Sequence, residues 1–313
     1  MSAEEKHSES LGELAPKFLR FAEVELCFAR QSILKYQDCL RQVAKFLGDR
    51  PVVSYTEDDV LELKAAMLRK NHSVGRQVSI LAAVKRFLEF CRSREGLSVL
   101  DPGLISMPKR PRREVVYLTA EEVHRFVDSV HIANRDGKSC VAGMRFRALV
   151  EALLGSAMRI GELLSLNRAD IDFERREARI IGKGNKQRTV FFTARALQWI
   201  QKYLDARTDE HPALLVCQDG QSRLKRPDMW RPFTRYRQLA GINKKLTPHL
   251  LRHTAATQLL FNGCPIGHIK EILGHERLET TCRYYLGLDH RAAKQAHERY
   301  LIYDPVDTAI VTA

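Results

Sequence analysis

A stretch rich in glycine and proline, residues 96–116, limits the fold of this chain more than any other feature of its sequence. Its glycines and prolines break any regular helix or strand that would run through it. A chain of 313 residues has room for about two domains. The sequence therefore predicts an N-terminal domain over residues 11–95, a linker over 96–116 and a second domain over 117–300.

The N-terminal segment has the pattern of a helical domain. Apolar residues recur at helical spacing from Leu26 to Leu47. Thr56 is followed by three acidic residues, as at the start of a helix, and another helix is expected to begin near Ser73. These signals predict several packed helices and no strand in this part of the chain.

The second domain combines helices with a short hairpin. Thr119 and Glu122 have the spacing of a capping box, which predicts a helix start. Two β-type runs, residues 178–181 and 188–192, flank a glycine-rich turn and predict a hairpin. The remaining segments up to Tyr300 are mostly helical in pattern. We therefore expect a mainly α protein with a small antiparallel β-sheet.

The charge of the chain favours a polyanionic partner. Lysine and arginine number 51 against 38 acidic residues, so the formal net charge is +13 and the sequence pI about 9.5. Nucleic acid, an anionic membrane and a merely basic soluble protein are all compatible with this charge. No apolar run approaches the roughly 18 residues of a membrane-spanning helix, and the polar N-terminus lacks the order of a signal peptide. Nucleic acid is therefore favoured, with no membrane partner.

The cysteines indicate the compartment. The seven cysteines are scattered, and none forms a C-x-x-C pair of the kind that binds zinc. We interpret them as reduced thiols of a cytoplasmic protein.

Two short motifs contain basic residues suited to phosphate chemistry. Arg159 and Glu162 lie three residues apart, which predicts one shared helix face, with the carboxylate orienting the guanidinium. Considered alone, the pair is more typical of an ordinary ion pair. Lys183 lies at the tip of the hairpin in Gly-Lys-Gly-Asn-Lys, where it can reach a phosphate or donate a proton. Considered alone, this lysine is more typical of an ordinary basic turn.

A third motif starts with Thr247 and Pro248, which predict a helix start. His249 and Arg252 then share a face near the helix N-terminus, where anions bind well. His253 follows His249 by four residues, so a zinc site needs weighing. The metalloprotease pattern H-E-x-x-H requires glutamate where this chain has leucine, so His253 is expected in the core.

A fourth motif contains His275 after Gly274, a predicted corner that exposes the imidazole, and then the adjacent Tyr284 and Tyr285. Taken in order, the four motifs supply every group that phosphoryl transfer through tyrosine needs. Arginines neutralise phosphate oxygens, a phenol attacks phosphorus, a lysine protonates the leaving oxygen and histidines handle the remaining proton.

These motifs resemble those of the tyrosine recombinases, the phage-integrase family, and most closely its Xer-like branch. The resemblance runs from about Thr119 to Tyr300 and rests on five segments, the last two of which belong to the fourth motif: G-S-A-M-R-I-G-E-L-L, I-G-K-G-N-K-Q-R, T-P-H-L-L-R-H-T-A-A-T, I-L-G-H and T-T-C-R-Y-Y. It implies a two-domain fold, an N-terminal SAM-like helical core-binding domain plus an α+β catalytic domain. Residues 11–95 match that first domain only in character and position.

The resemblance also implies a role for each candidate. Arg159 and Arg252 clamp the scissile phosphate, and Glu162 supports Arg159. Lys183 is the general acid for the 5′ oxygen, His249 begins the family's H-x-x-R motif, and His275 hydrogen-bonds the phosphate. The nucleophile, which forms a 3′-phosphotyrosyl link, is Tyr284 by spacing from His275, although the adjacent Tyr285 is easily mistaken for it.

The implied partner is double-stranded DNA with a specific core site. The resemblance implies a protein that is a monomer or dimer when free, a homotetramer on synapsed DNA and strand exchange through a Holliday junction, with no cofactor and no metal. Arg226, Arg231 and Arg235 are expected to contact DNA, although a solvated basic face explains them equally. The apolar tail 301–313 is expected to cover its own domain or to be exchanged between protomers.

Two other functions share parts of this pattern. A type IB topoisomerase uses the same chemistry but does not exchange DNA partners, and the Xer-like motifs and compact length argue against it. A DNA-binding relative without catalytic activity is disfavoured because no member of the catalytic set is missing.

Overall fold

The chain folds into two compact units, one ending at residue 113 and the other starting at residue 114. The computed structural model describes residues 8–48, 50–109, 116–133, 140–181 and 187–275. The fold is mainly helical with one small antiparallel sheet, as predicted. None of the helices in these ranges combines the length and the apolarity needed to cross a lipid bilayer.

Four α-helices build the described part of the first unit. They are α1 (Leu11–Val24), α2 (Arg30–Leu47), α3 (Glu57–Arg69) and α4 (Val74–Ser93). Thr56 and Ser73 cap α3 and α4, since the side chain of each accepts a backbone N–H from the first helical turn. The helix expected from Leu26 begins only at Arg30, because Cys27 adopts a left-handed backbone with φ of 51°.

The core of the first unit is apolar and aromatic. The ring of Phe18 packs against Tyr36, Phe87 and Phe90, with ring centroids 5.7–5.9 Å away. Part of the segment expected as a linker also packs into this core, since Leu97 and Ile105 are buried there. The segment after α4 therefore still packs with the first unit at least as far as Ile105.

Seven α-helices and three strands make up the described part of the second unit. They are α5 (Ala120–Asp128), α6 (Val141–Ser156), α7 (Ile160–Ser165), β1 (Ile171–Asp172), β2 (Glu177–Ile181), β3 (Gln187–Phe191), α8 (Ala194–Asp205), α9 (Trp230–Leu239), α10 (Pro248–Phe261) and α11 (Ile266–Leu273). Thr119 caps α5 through the predicted capping box with Glu122. A 3₁₀ turn, Arg226–Met229, precedes α9.

Helix α6 lies at the centre of the second unit and packs against α5, α7, α8, α10 and β3. Most of its residues are buried, including two charged ones. Arg147 donates to the carboxylate of Glu151 at 3.0 Å, and Arg195 on α8 donates to the same carboxylate at 2.9 Å. A buried carboxylate needs such partners because an isolated charge in the core is costly.

The sheet has the order β1-β2-β3 with antiparallel neighbours. The pair β2-β3 is the predicted hairpin, with Ile180 opposite Arg188. Strand β1 escaped prediction because it has only two residues and so no alternating pattern. Residues 182–186, which contain Lys183, lie outside the described residues, as do Tyr284, Tyr285 and the tail 301–313.

Candidate active site

Arg159 lies between two helices of the second unit. Helix α6 ends at Ser156, and Ala157 reverses the chain in a left-handed conformation with φ of 53°. Arg159 is then the residue that precedes α7, and its backbone N–H donates to the Glu162 carboxylate at 2.8 Å. The two residues were expected on one helix face. Instead, Glu162 caps the helix start that Arg159 forms, which fixes the backbone of the arginine.

The Glu162 carboxylate binds two guanidinium groups. Its Oε1 accepts from Nη1 of Arg159 and its Oε2 from Nη2 of Arg188, both at 2.9 Å. Burial raises the pKa of Glu162, but the backbone N–H of Arg159 and the charges of Arg188 and Arg159 outweigh it and lower the pKa overall. Glu162 therefore stays ionised and holds both arginines.

Arg252 lies on α10, which begins as predicted. Thr247 accepts the backbone N–H of Leu250 at 3.2 Å, and Pro248 is the first helical residue. The Arg252 residue is only 5% exposed. Its Nη1 donates to the carbonyl of Ala157 at 2.8 Å, which joins α10 to the chain reversal before Arg159.

Three arginines meet the C-terminus of α11. The carbonyls of Ile272, Leu273 and Gly274 accept hydrogen bonds from Arg188, Arg252 and Arg159, respectively. The last carbonyls of a helix have no partner inside it and carry the negative end of the helix dipole. This helix end therefore gathers three positive groups that come from three different elements.

His275 follows directly at this corner. Gly274 has φ of +60°, as a left-handed corner requires. The imidazole was expected to be exposed, but it is half-buried because its Nε2 lies 3.3 Å from Nη2 of Arg252. Burial and the charges of Arg252 and Arg159 lower the pKa of His275 to about 4. The imidazole is therefore neutral near pH 7 and able to donate a hydrogen bond without adding charge.

His249 and His253 form a pair on α10, with their Nε2 atoms 3.0 Å apart. His253 is half-buried against His249. Burial lowers the pKa of both rings. The charge of Arg252 lowers the pKa of His249 further, and His249 lowers the pKa of His253, which falls to about 4. Within the described ranges, no three histidine, cysteine or acidic side chains are grouped so that they could hold a metal ion.

The expected DNA-contacting arginines lie in two places. Arg226 is exposed and packs beside α7, since a Cβ on Gly161 would lie 2.6 Å from its Nη2. Arg231 and Arg235 are also exposed, but they line a hollow of about 730 Å³ with Arg145. The described lining of that hollow includes none of the catalytic candidates. Arg226 is thus near the site, whereas Arg231 and Arg235 belong to a different surface.

Arg188, the second partner of Glu162, was not among the site residues predicted from the sequence. A signal was available, because side chains alternate between the two faces of a strand and Arg188 shares a face with the buried Val190. An arginine at an inward-facing strand position predicts a buried partner. Its partners Glu162 and Ile272 are distant in sequence, however, so the alternation alone could not identify them.

Comparison with known proteins gives concordant matches. The sequence model of the phage integrase family matches residues 116–291. Tyrosine recombinase XerC of Chlamydia muridarum (strain MoPn / Nigg) is 32% identical over 249 residues, covering 78% of this chain and 76% of that protein. Tyrosine recombinase XerC of Myxococcus xanthus is 29% identical over 285 residues, covering 88% and 93%. The Tn1549 transposon integrase, solved with transposon right end DNA, has the same fold, with a TM-score of 0.76, 19% identity and coverage of 94% and 100%.

Proposed function

This chain belongs to the phage integrase family and is a tyrosine site-specific DNA recombinase, and we propose that Tyr284 is its nucleophile. The choice of Tyr284 rests on its spacing from His275, whereas the observation that carries the proposed strand cleavage is the convergence of Arg159, Arg252 and His275 at the C-terminus of α11. Guanidinium groups bind phosphate oxygens in a fixed, often bidentate geometry. Two of them beside a neutral imidazole suit a phosphate whose negative charge increases in the transition state.

The proposed cleavage step begins when the phenol oxygen of Tyr284 attacks the scissile phosphorus. The bond from phosphorus to the 5′ oxygen breaks, which leaves a 3′-phosphotyrosyl link and a 5′ hydroxyl. Lys183 gives its proton to the leaving 5′ oxygen, since a departing alkoxide needs protonation. His249, whose lowered pKa keeps it neutral, accepts the phenol proton. His275 donates a hydrogen bond to the phosphate.

Rejoining reverses these steps with a new partner strand. A 5′ hydroxyl from the partner duplex attacks the phosphotyrosine, and the Tyr284 oxygen leaves with a proton. One phosphodiester is consumed and one is formed, so the exchange itself requires neither nucleotide nor metal. We propose that two such exchanges proceed through a Holliday junction in a homotetramer. The described cysteines are all free thiols, which is consistent with work in the cytoplasm.

DNA binding is proposed to rest on exposed basic residues. The net charge of +13 favours binding to phosphates, and Arg226, Arg231 and Arg235 are exposed. Of the three, Arg226 is the strongest candidate for a contact close to the cleaved phosphate because it packs beside α7. Affinity should fall steeply with salt, with a log–log slope of about −0.9 for each phosphate neutralised.

Covalent capture of cleaved DNA tests the proposed function and identifies the target site in the same experiment. The full chain is incubated with sheared, randomly nicked DNA from the genome that carries its gene. Where a nick lies just beyond the cleaved bond, cleavage releases a short piece of DNA that carries the new 5′ hydroxyl. This piece diffuses away, so no 5′ hydroxyl remains to reverse the covalent adduct. Adducts resistant to denaturant are then isolated and their DNA is sequenced. We expect one enriched core site. Adducts spread evenly over the genome, or none at all, would contradict site-specific cleavage by this chain.

Two tyrosine variants then test the nucleophile on the captured site. Tyr284→Phe should abolish the adduct and leave DNA affinity nearly unchanged, because only the phenol oxygen is lost. Tyr285→Phe is the matched control and should still form the adduct. The opposite pattern, with an adduct from Tyr284→Phe and none from Tyr285→Phe, would show that the adjacent tyrosine is the nucleophile.

A further inference from the structure

Arg188 connects two parts of the site without being one of its expected members. It lies on β3 with its side chain 17% exposed. Its Nη2 donates to Oε2 of Glu162 at 2.9 Å, and its Nη1 donates to the carbonyl of Ile272 at 3.0 Å. One guanidinium group thus ties the carboxylate on α7 to the last turn of α11.

Arg159 closes a ring with the same two partners. Its Nη1 donates to the other carboxylate oxygen of Glu162 at 2.9 Å, and its Nη2 donates to the carbonyl of Gly274 at 3.1 Å. Arg188, Glu162, Arg159 and the α11 C-terminus therefore form four sides of a closed ring. Every hydrogen bond in this ring has a charged donor, which makes it stronger than a bond between neutral groups.

The packing leaves little room for this ring to shift. A Cβ on Gly274 would lie 2.6 Å from Nε and 2.9 Å from Cδ of Arg188. These atoms belong to the middle of a side chain whose end is held at two places, so they cannot move away easily. The backbone that leads into His275 therefore lies directly on the Arg188 side chain.

Two simpler roles for Arg188 need to be weighed. A direct phosphate contact is separated from a positioning role by DNA affinity, because the terminal nitrogens of Arg188, like those of Arg252, donate within the protein. As a purely stabilising residue Arg188 would be an expensive choice, since an apolar residue often stabilises a core as well as a buried ion pair does. Its contacts instead converge on Glu162, which holds Arg159, and on the corner before His275.

We propose that Arg188 is a positioning residue for strand cleavage, which holds the Arg159–Glu162 pair in register with the α11 corner that carries His275. The inference rests on the proposed function, in which Arg159 and His275 contact the scissile phosphate. Lysine cannot replace it fully, because one ammonium group cannot span both Glu162 and the carbonyl of Ile272 in the way a planar guanidinium does.

The test measures single-turnover cleavage of the captured, nicked core site at saturating protein. Arg188→Gln should lower the cleavage rate by about 10- to 100-fold, the range found when a residue that orients a metal ligand is replaced. DNA affinity should stay within about twofold of wild type if Arg188 acts only on protein groups, whereas the loss of a phosphate contact would weaken binding. Arg188→Lys should recover part of the lost rate. The wild-type protein tests the proposed function in the same assay, because that function fails if wild type forms no adduct.

A double-mutant cycle identifies the route of the effect. If Arg188 acts through Glu162, the variant Glu162→Gln/Arg188→Gln should be hardly slower than Glu162→Gln alone. Rate losses that multiply would show an independent role for Arg188 and overturn the inference. A wild-type rate in Arg188→Gln, or a loss of affinity without a slower rate in the bound complex, would overturn it as well.

Arg207→Gln is the matched control for general destabilisation. The Arg207 side chain is 1% exposed and donates to Asp209 and to the carbonyls of Ala213 and Leu214, away from the ring. This variant should unfold more easily but cleave at the wild-type rate at temperatures where it is folded. An equal slowing in Arg207→Gln and Arg188→Gln, with both proteins folded, would show that Arg188 is merely structural.

Discussion

The two units of this chain bury different kinds of side chain. Among the described residues, the buried polar side chains of the first unit are neutral, Ser10 and Gln77. The second unit buries the charges of Arg147, Glu151, Glu162 and Arg252. Removing a charge from water costs several kcal/mol even when it is paired. The second unit therefore contains groups that stability alone does not favour.

The buried charges of the second unit form two clusters with different positions. Arg147 and Glu151 lie on α6 and join it to Arg195 on α8. Glu162 and Arg252 lie where α7 and α10 meet the end of α11, among the proposed catalytic residues. This difference points to a division of roles, in which the apolar core of the first unit serves folding and the cluster of Glu162 and Arg252 in the second unit serves phosphate chemistry. Each prediction below tests this division.

The largest effect is expected from Arg252→Lys. Lysine keeps the positive charge but cannot donate to the carbonyls of Ala157 and Leu273 while also facing a phosphate. We expect single-turnover cleavage to fall about 100- to 1000-fold, as when one transition-state donor is removed. DNA affinity, followed by fluorescence anisotropy, should change far less. A lysine variant that cleaves at the wild-type rate would remove Arg252 from the proposed site.

A large change in the first unit should affect folding alone. Leu40 is buried in its apolar core, and Leu40→Ala leaves a cavity. We expect the free energy of unfolding of this unit to fall by about 2–5 kcal/mol, measured by urea titration. The cleavage rate of the folded, DNA-saturated variant should equal that of wild type. If chemistry slows in proportion to the lost stability, the division between the units is wrong.

Two glycines with similar backbones should respond differently to alanine. Gly96 in the first unit and Gly274 in the second have φ of +71° and +60°. Alanine at either position costs roughly 1–2 kcal/mol, because a left-handed backbone crowds the Cβ. Gly96 faces open space, whereas a Cβ on Gly274 would meet Arg188. Gly274→Ala should therefore also slow cleavage, by about tenfold, and Gly96→Ala should leave the rate unchanged.

The smallest effect concerns pH. His253 and His275 have pKa values lowered to about 4, whereas an unfolded histidine titrates near 6.5. Between these pH values the unfolded chain binds more protons, so the second unit should lose stability as pH falls from 6.5 toward 4. In the first unit, the hydrogen bond from Arg76 lowers the pKa of Asp38. The stability that this ionised carboxylate contributes is therefore lost only as the pH falls below its ordinary pKa of 3.8.

Fluorescence separates the two units in this measurement, because both tryptophans, Trp199 and Trp230, lie in the second unit. Urea unfolding followed by tryptophan emission should show a lower midpoint at pH 5 than at pH 7. An unchanged midpoint would show that these histidines are not held neutral by the folded protein.

Local signals in the sequence were enough to predict several elements. The caps at Thr56, Thr119 and Thr247 were predicted correctly because a cap depends only on the residues that follow it. The position of Arg159 at the start of α7 was not predicted, because spacing by three residues describes a capping box as well as a helix face.

Long-range contacts were beyond the reach of the sequence. Arg188 meets Glu162 and Ile272 only because the hairpin and the end of α11 pack together, and no periodicity contains that information. The corner at Gly274 was predicted, but the half-buried state of His275 depends on Arg252 from a different helix. The order of the catalytic motifs was enough to indicate the family and its chemistry. The ring of hydrogen bonds that holds Arg159 and Arg188 is seen only in the folded chain.

The most direct test of the phosphate-binding role uses a substrate that lacks the charge. A methylphosphonate at the scissile position replaces one non-bridging oxygen by a neutral methyl group, so less positive charge is needed to stabilise the transition state. Arg159→Ala should cleave the ordinary phosphodiester about 100- to 1000-fold more slowly than wild type. On at least one of the two methylphosphonate isomers, we predict that the variant and wild type cleave at comparable rates. An equal defect on the phosphodiester and on both isomers would show that Arg159 serves the fold and not the phosphate.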